Sequence, residues 1–484
     1  MSDVVVVGAG LGGLAAAVCL AGAGRQVTLV EATAEPGGCC GTARVGPYRF
    51  DAGPSVLTMP DVLAEVFGAA GEELRHWVPL RRLDPSYRMV FDDGSRLDVR
   101  PDREAMIDQV RTLCGPAEAA RYERYRALLE EMFRVEWPAF IDADMTRLRA
   151  LARPAALLRL AALGGFRRLD RLAARHLTDP RLIKAHTFQA LYVGLPPQRA
   201  LGVYAVIAHM DTVGGVYFPE HGGMYAIPLA LAALLEKLGA TTRYGVRALE
   251  ILTDGDGVTG VLLDDGERLT ARHVVVACDR LAARRMLPAL AGDWRLRRPR
   301  HSPSCLVLHA GLDHVPDGQA HHTLHFGRTW RQTFKALDRG RPQPDPSLLV
   351  TCPRPDGESA PPGHATLSVL EPAPNLRRAD WRRLRPLLES RLLDRLAALG
   401  YGDLADAPRL VLDPPAWAAR GHSAGTPFAL DHRLTQTAWL RPSAVARRVP
   451  GLHFAGMYTA PGVGVPPVLI SGRLAAQRIL KEHR

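Results

Sequence analysis

Residues Val4 to Glu31 read VVVVGAGLGGLAAAVCLAGAGRQVTLVE, and the order of apolar runs and glycines in that stretch decides the fold. Val4–Val7 is a short β-branched run, the pattern of a parallel strand buried on both faces. Gly8, Gly10 and Gly13 then form G-x-G-x-x-G directly before a helical stretch from Leu14 to Ala23. Arg25–Val30 predicts a second strand, and Glu31 closes it 23 positions beyond Gly8. Each of these positions has a physical task. Gly8 permits a tight turn, Gly10 lets backbone approach a pyrophosphate, and Gly13 lets helix and strand pack closely. The helix start, with Leu11 and Gly12, turns amides and a positive dipole end towards phosphate. Glu31 is placed to accept from ribose hydroxyls and disfavours a 2′-phosphate, so FAD or NAD is expected over NADP. A glycine-rich turn without a ligand is the competing reading, and it leaves the strand, the helix and the acid unexplained.

Composition bounds the rest. The chain has 484 residues, 47% of them hydrophobic and 6% aromatic, enough for two or three cores and against disorder. Net charge is +11 from 61 basic and 50 acidic residues, and only Lys184, Lys237, Lys335 and Lys481 are lysine. A basic surface suits nucleic acid or an anionic membrane. Without a nucleic-acid motif, the membrane surface is the expected partner and nucleic acid is not. Seven cysteines, an odd count without paired zinc-ligand spacing, suit a reduced cytoplasmic compartment and predict no metal site. The stretch from Val4 to Gly24 is uncharged but carries six glycines and no basic leader, so neither a signal peptide nor a membrane helix is expected. No other segment offers about 18 uninterrupted apolar residues, so no membrane span is predicted.

Beyond the second strand, Pro36 to Leu57 reads PGGCCGTARVGPYRFDAGPSVL. Gly37, Gly38 and Gly41 predict a loop folding back over the dinucleotide, with Cys39 and Cys40 packed beside it. A vicinal disulfide would need a distorted peptide, and no His or Cys stands at metal-ligand spacing.

These residues, together with YRFDAGPSVLTMPDVL, resemble the opening of the bacterial phytoene desaturases. Those are FAD-dependent carotenoid desaturases, related to carotenoid isomerases and more distantly to amine oxidases. LYVGLPPQRALGVYAVIAHMDTVGGVYFPEHGGMYAIPLALAALLEKLG resembles the middle of the family's actinobacterial branch, and AGTPFALDHRLTQTAWLRP and VPGLHFAGMYTAPGVGVPPVLISGRLAAQRIL resemble its end. The resemblance implies an α/β fold: a Rossmann-type, amine-oxidase-like flavoprotein of two dinucleotide-binding domains. Its FAD-binding domain is expected to be discontinuous, over 1–75, 215–290 and 445–484. The substrate-binding domain is expected over 76–104 and 291–444, and a helical lid or membrane-associating subdomain over 105–214. It implies non-covalent FAD held by Gly8, Gly10, Leu11, Gly12, Gly13, Glu31, Gly38, Cys39, Gly53, Pro54, Ser55, Val246, Asp279, Gly456, Met457, Gly464, Val465 and Pro466. It implies insertion of double bonds into phytoene or a related carotene, a long hydrocarbon. It further implies peripheral attachment to the inner face of the cell membrane, and quinone or oxygen as electron acceptor. Three positions depart from the family's pattern: Cys39 stands where Arg is common, Cys278 where Asn is common, and Met457-Tyr458 where small residues are usual.

The remaining segments add local expectations. Asp92–Ser95, DDGS, predicts a hairpin within Pro85–Val99. Val246–Leu252, Val258–Leu263 and Arg268–Val276 predict a meander whose last run returns to the cofactor sheet at Asp279. Ala105–Leu201 is helical by pattern. Within it, Met145–Leu177 carries Arg147, Arg149, Arg153, Arg159, Arg167, Arg168, Arg171 and Arg175, a basic amphipathic segment whose apolar face is expected to enter the headgroup boundary. LHFAG followed by PGVGVPPVLISGRLAAQRIL predicts a strand, a glycine turn and a helix. That helix start is expected to face the pyrimidine end of the isoalloxazine, where reduced flavin is negative. Desaturation passes through a delocalised allylic cation, so positioning in a dry tunnel can carry most of the acceleration. Where a base takes part, His209 and Asp211 in AHMD, or His186, are the polar candidates, although a structural role suits each histidine better. Met224, Tyr225, Phe326 and Phe428 suit either the tunnel or the core. Other readings are a flavin-dependent isomerase, a desaturase of a modified carotenoid, and a non-enzymatic lipid-binding protein like the GDP-dissociation inhibitors. The intact glycine fingerprint weighs against the last.

Overall fold

A computed structural model describes residues 2–146, 153–287, 293–354 and 357–482. Val4–Val7 pairs in parallel with Val27–Glu31 on one side and His273–Val276 on the other. Thr241–Tyr244 and Leu452–Phe454 add the outer parallel strands of this five-stranded sheet. Its strands thus come from the beginning, the middle and the end of the chain. The β-branched runs fit a sheet covered on both faces.

One cover is the helix Leu11–Gly22, in which every residue from Leu11 to Ala21 is buried. A helix buried all round needs partners on several sides. Here they are the sheet, the helix Ala226–Lys237 and the C-terminal helix Val465–Glu482, all in one apolar core. The closest approach is backbone to backbone: a Cβ on Gly472 would stand 2.2 Å from the Gly12 carbonyl oxygen. The other cover is the meander Ala248–Thr253, Val258–Leu263 and Arg268–Thr270. Its inward residues Ile251, Val261 and Leu263 pack on Val5, Val7, Val30 and Val274. The predicted run Arg268–Val276 divides at Ala271–Arg272. Its first half stays in the meander and its second half enters the parallel sheet.

A seven-stranded sheet builds the second layer, in the order Arg409–Leu412, Ser304–Leu312, Ala365–Ala373, Leu348–Thr351, His322–His325, Tyr87–Val90, Arg96–Val99. The last two strands are the predicted hairpin, and only His322–His325 with Tyr87–Val90 runs parallel. Helices Arg103–Cys114, Pro116–Glu136, Pro154–Ala162, Leu169–His176 and Pro180–Ala185 pack beside it. Glu118 holds two of them together by accepting from Thr178 N at 2.6 Å and Asp179 N at 2.9 Å.

The basic segment differs from its expectation. In Leu169–His176 the apolar residues Leu169, Leu172 and Ala173 are buried in the protein, not turned outward. Arg167, Arg168, Arg171 and Arg175 are exposed, and the apolar side chains that accompany them at the surface are Leu158 and Phe166, 71% and 50% exposed. Arg147 and Arg149 lie outside the described residues. Among the described residues, no helix is long and apolar enough to cross a membrane.

Candidate active site

The first glycine loop makes a cradle with one open wall. Gly8 has φ +105°, which a side chain would strain. A Cβ on Gly13 would lie 1.9 Å from the Gly8 carbonyl oxygen, so strand and helix touch there. A Cβ on Gly12 would lie 3.0 Å from Gly456 N. A Cβ on Gly10 meets nothing within 4 Å. The free space therefore lies at the start of Leu11–Gly22, where no side chain caps the helix amides. An anion fits that arrangement.

Glu31 completes the cradle. Its Oε2 accepts from Ala9 N at 2.7 Å, and its Oε1 accepts from Thr33 N and Thr33 Oγ1, both at 2.9 Å. These bonds fix the carboxylate beside the loop and leave further lone pairs for a diol. Val246 N donates to the Glu31 carbonyl oxygen at 3.0 Å, which brings this expected residue to the same edge. Gly37 N donates to Ala9 O at 2.8 Å, and Gly38 backs onto Gly10, its Cβ position 3.1 Å from the Gly10 Cα. The loop thus folds back onto the glycine turn.

Cys39 and Cys40 are both free thiols. Burial pushes Cys39 up to about 12 and Cys40 well above the usual thiol range, so neither is a thiolate at neutral pH. Cys39 Sγ sits 3.3 Å from His422 Nε2, and Cys40 Sγ donates to Met224 O at 3.4 Å. The pair is packing, not a redox couple. Gly53 lies against Cys39, where a Cβ would stand 1.7 Å from the Cys39 carbonyl oxygen. Pro54 and Ser55 are the next residues of the same loop. Asp51 just before it accepts from Met224 N at 3.0 Å and Tyr225 N at 3.1 Å, tying FDAGPS to the GGMY turn.

The second glycine turn meets the first across the Gly12–Gly456 contact. Gly456 N donates to Ser471 Oγ at 2.8 Å. The helix start at Gly464, Val465 and Pro466 has fewer donors than a helix terminus ordinarily offers. Pro466 and Pro467 carry no N–H, and Val468 N is already bonded to Gly464 O at 3.0 Å. The expected amide cluster is thus reduced to the dipole and the amides ahead of the prolines.

Asp279 is a hub. It accepts from Leu281 N, Ala282 N and Ser423 N at 2.9, 3.1 and 2.9 Å, and from Ser423 Oγ at 2.7 Å. Tyr458 OH donates to its Oδ2 at 2.8 Å. The neighbouring Met457 carbonyl accepts from the buried Arg441 at 2.6 Å. Sequence reasoning singled out Asp279 and Tyr458 but not their bond, nor Ser423 or His422. Those partners lie far along the chain and carry no local pattern.

The polar candidates in AHMD face different neighbours. His209 stacks on Phe133 with centroids 5.0 Å apart, and burial holds its imidazole down at about 4. Asp211 lies in a wide helical turn, Met210–Gly214, is 1% exposed, and burial pushes its carboxyl up to about 8. The charge of Asp211 acts on the phenols of Tyr87 and Tyr192. His186 is packed between Tyr122 and Tyr125, with Nδ1 2.9 Å from Leu182 O, a structural place. Phe326 and Met224 are buried core residues, Phe326 stacking on Phe91 at 5.5 Å.

Two cavities adjoin these elements. One is small, about 60 Å³, and lies between Gly53 and Ser55 of the cofactor-side loop and Phe218, Val307, His309 and Leu349. The other, about 850 Å³, starts beside Leu281 and Ser423 at the Asp279 hub and is rimmed by Arg297, Arg298, Arg300 and Arg377.

A parallel dinucleotide sheet closed by a second glycine turn defines a flavoprotein oxidoreductase. The sequence pattern of the flavin containing amine oxidoreductases matches residues 11–480, and the chain belongs to that family, among its carotenoid desaturases. It is 46% identical to a phytoene dehydrogenase of Streptomyces griseus, over 99% of this chain and 95% of that one. It is 34% identical to a zeta-carotene-forming phytoene desaturase of Myxococcus xanthus, over 99% and 93%. Cyclohexylamine oxidase of Brevibacterium oxydans shares the fold with a TM-score of 0.63 at 18% identity, over 100% of this chain and 99% of that one. The protein is an FAD-dependent oxidoreductase, and the cradle fits that cofactor: Gly10 is open, Glu31 is poised, and the helix amides have no cap.

Proposed function

We propose that the protein desaturates phytoene or a closely related carotene, removing two hydrogens at each step. The observation that carries this reading is the meeting of Gly12 with Gly456, which sets the two glycine turns face to face around one cofactor space. The 46% identity to a named phytoene dehydrogenase supports the substrate class. Bound FAD supplies a two-electron acceptor. This chain's part is to orient an apolar polyene against it, exclude water and manage one proton. We assign the small apolar cavity beside Gly53 and Ser55 to the point where the substrate's reacting segment meets the cofactor side.

Asp211 is the better proton-handling candidate of the pair. It is held protonated at neutral pH, and its electrostatic influence reaches Tyr87 and Tyr192, on the side of the cofactor-side loop. The Tyr87 ring lies 5.8 Å from His322, His322 Nδ1 lies 3.0 Å from Thr351 Oγ1, and Thr351 Oγ1 donates to Ser55 Oγ at 3.4 Å. His209 sits on the other side of the turn against Phe133 and is assigned to packing.

The substrate has negligible aqueous concentration, so the enzyme collects it at a lipid surface. Exposed Arg167, Arg168 and Arg171, with Phe166 beside them, support docking on an anionic inner leaflet from the cytoplasmic side. Electrons then pass to a quinone of the same bilayer or to oxygen.

Co-expression with a phytoene-producing pathway tests the reading. Coloured polyenes lighter by two mass units per new double bond are expected. A product of unchanged mass with altered geometry would instead establish an isomerase. Unaltered phytoene with fully flavin-loaded protein rejects phytoene desaturation.

A further inference from the structure

At the end of the parallel sheet remote from the glycine cradle, three side chains converge. His273 opens the strand His273–Val276, and His453 is the middle residue of Leu452–Phe454. The register sets His453 opposite Val275, two residues on from His273. Side chains alternate along a strand, so both imidazoles stand on one face. Their ring centroids are 5.6 Å apart. The C-terminal helix ends over them. Glu482 Oε2 lies 3.8 Å from His273 Nδ1 and 3.8 Å from His453 Nε2, and the three ligand atoms all lie within 4.8 Å of one another.

These separations are too long for hydrogen bonds. His453 is only 2% exposed, yet neither of its ring nitrogens has a hydrogen-bond partner among the described residues. A buried polar atom left so is costly, and something that satisfies it is favoured. Arg478 stands nearby, but it is engaged by Asp144 through two bonds of 3.0 Å. No cysteine takes part, so metal-ligand spacing among cysteines could not reveal the group.

We propose that His273, His453 and Glu482 bind one divalent transition-metal ion of the zinc class, with water completing the coordination. Two imidazoles and a carboxylate suit zinc or cobalt and not magnesium or calcium. Bonds of about 2.0–2.2 Å in tetrahedral geometry put ligand atoms roughly 3.3 Å apart. Glu482 is half-exposed and closes its own separations by turning its side chain, and the two imidazoles close theirs by ring rotation. Bound there, the ion clamps the end of the last helix to the sheet, far from the flavin. It acts on stability and leaves the chemistry alone.

The test uses the flavin-loaded protein after dialysis against chelator. Isothermal titration with zinc chloride should show one site, and cobalt chloride should give visible ligand-field bands in the difference spectrum. Zinc should raise the melting temperature. Glu482→Gln and His453→Ala should each weaken zinc at least tenfold while retaining flavin. Glu482→Gln, at the surface, guards against a mere folding defect. Absence of a saturable site, or variants that bind zinc as the parent does, overturns the proposal.

Discussion

Tyr458 OH donates to Asp279 Oδ2 at 2.8 Å, and so joins the exit of the strand His273–Val276 to the turn after Leu452–Phe454. The two strands are already neighbours in the sheet. The bond fixes the segments into which they lead, and those segments form the edge of the cofactor space. Replacing Tyr458 with Phe leaves Asp279 its Ser423 and amide donors, so the fold should persist. The lost buried bond costs about 1–2 kcal/mol. A lower melting temperature of the holoprotein is expected, with faster flavin release on dilution. Unchanged flavin retention would mean that the hub does not shape the site.

The glycine cradle predicts two opposite phenotypes. Gly10→Val places a side chain in the open space and should abolish FAD binding while the apoprotein melts as the parent apoprotein does. Gly13→Ala drives a methyl group into the Gly8 carbonyl oxygen and should destabilise the fold itself, by about 1–3 kcal/mol. Flavin absorbance and thermal melting, read on both variants, separate them.

Asp211 makes stability depend on pH in a stated direction. Its folded pKa, about 8, is raised above the unfolded value near 3.8. In the interval between these values the folded state binds more protons than the unfolded, so stability falls as pH rises from about 4 to about 8. Asp211→Asn removes this slope. The difference in unfolding free energy between variant and parent should therefore move in the variant's favour by a few kcal/mol between pH 5 and pH 8. A constant difference across that range would place the carboxyl in a wetter setting.

The exposed arginines give a prediction about lipid. Each contributes on the order of 1 kcal/mol near an anionic surface. Replacing Arg167, Arg168 and Arg171 together with Glu should release the protein from vesicles containing phosphatidylglycerol in a flotation assay, with the flavin spectrum unchanged. Binding that survives the change would move the docking face elsewhere.

Distance along the chain decides how much of the fold and the site is legible in the sequence. Gly8 to Glu31 is one contiguous unit, and its turn and acid are where the spacing placed them, while the helix starts at Leu11, three residues before the expected Leu14. The hairpin at Asp92–Ser95 and the three meander strands are equally local. The bond from Tyr458 to Asp279 spans 179 positions and the Cys39–His422 contact 383, and nothing in local periodicity marks such pairs. The inward turn of Leu169 and Leu172 is hidden for a related reason. An amphipathic pattern gives a stripe, but whether lipid or another helix covers it is settled by tertiary packing. Proline reads the other way: Pro466 and Pro467 are legible in the sequence as missing donors at the second turn.

The backbone contact between Gly12 and Gly472 has a consequence for biosynthesis. The two backbones that meet there stand 460 positions apart (472 − 12). While the ribosome still holds the C-terminal helix, the nascent chain has half a binding site. Flavin capture must therefore follow emergence of that helix from the ribosome, and premature termination anywhere before it yields a colourless protein.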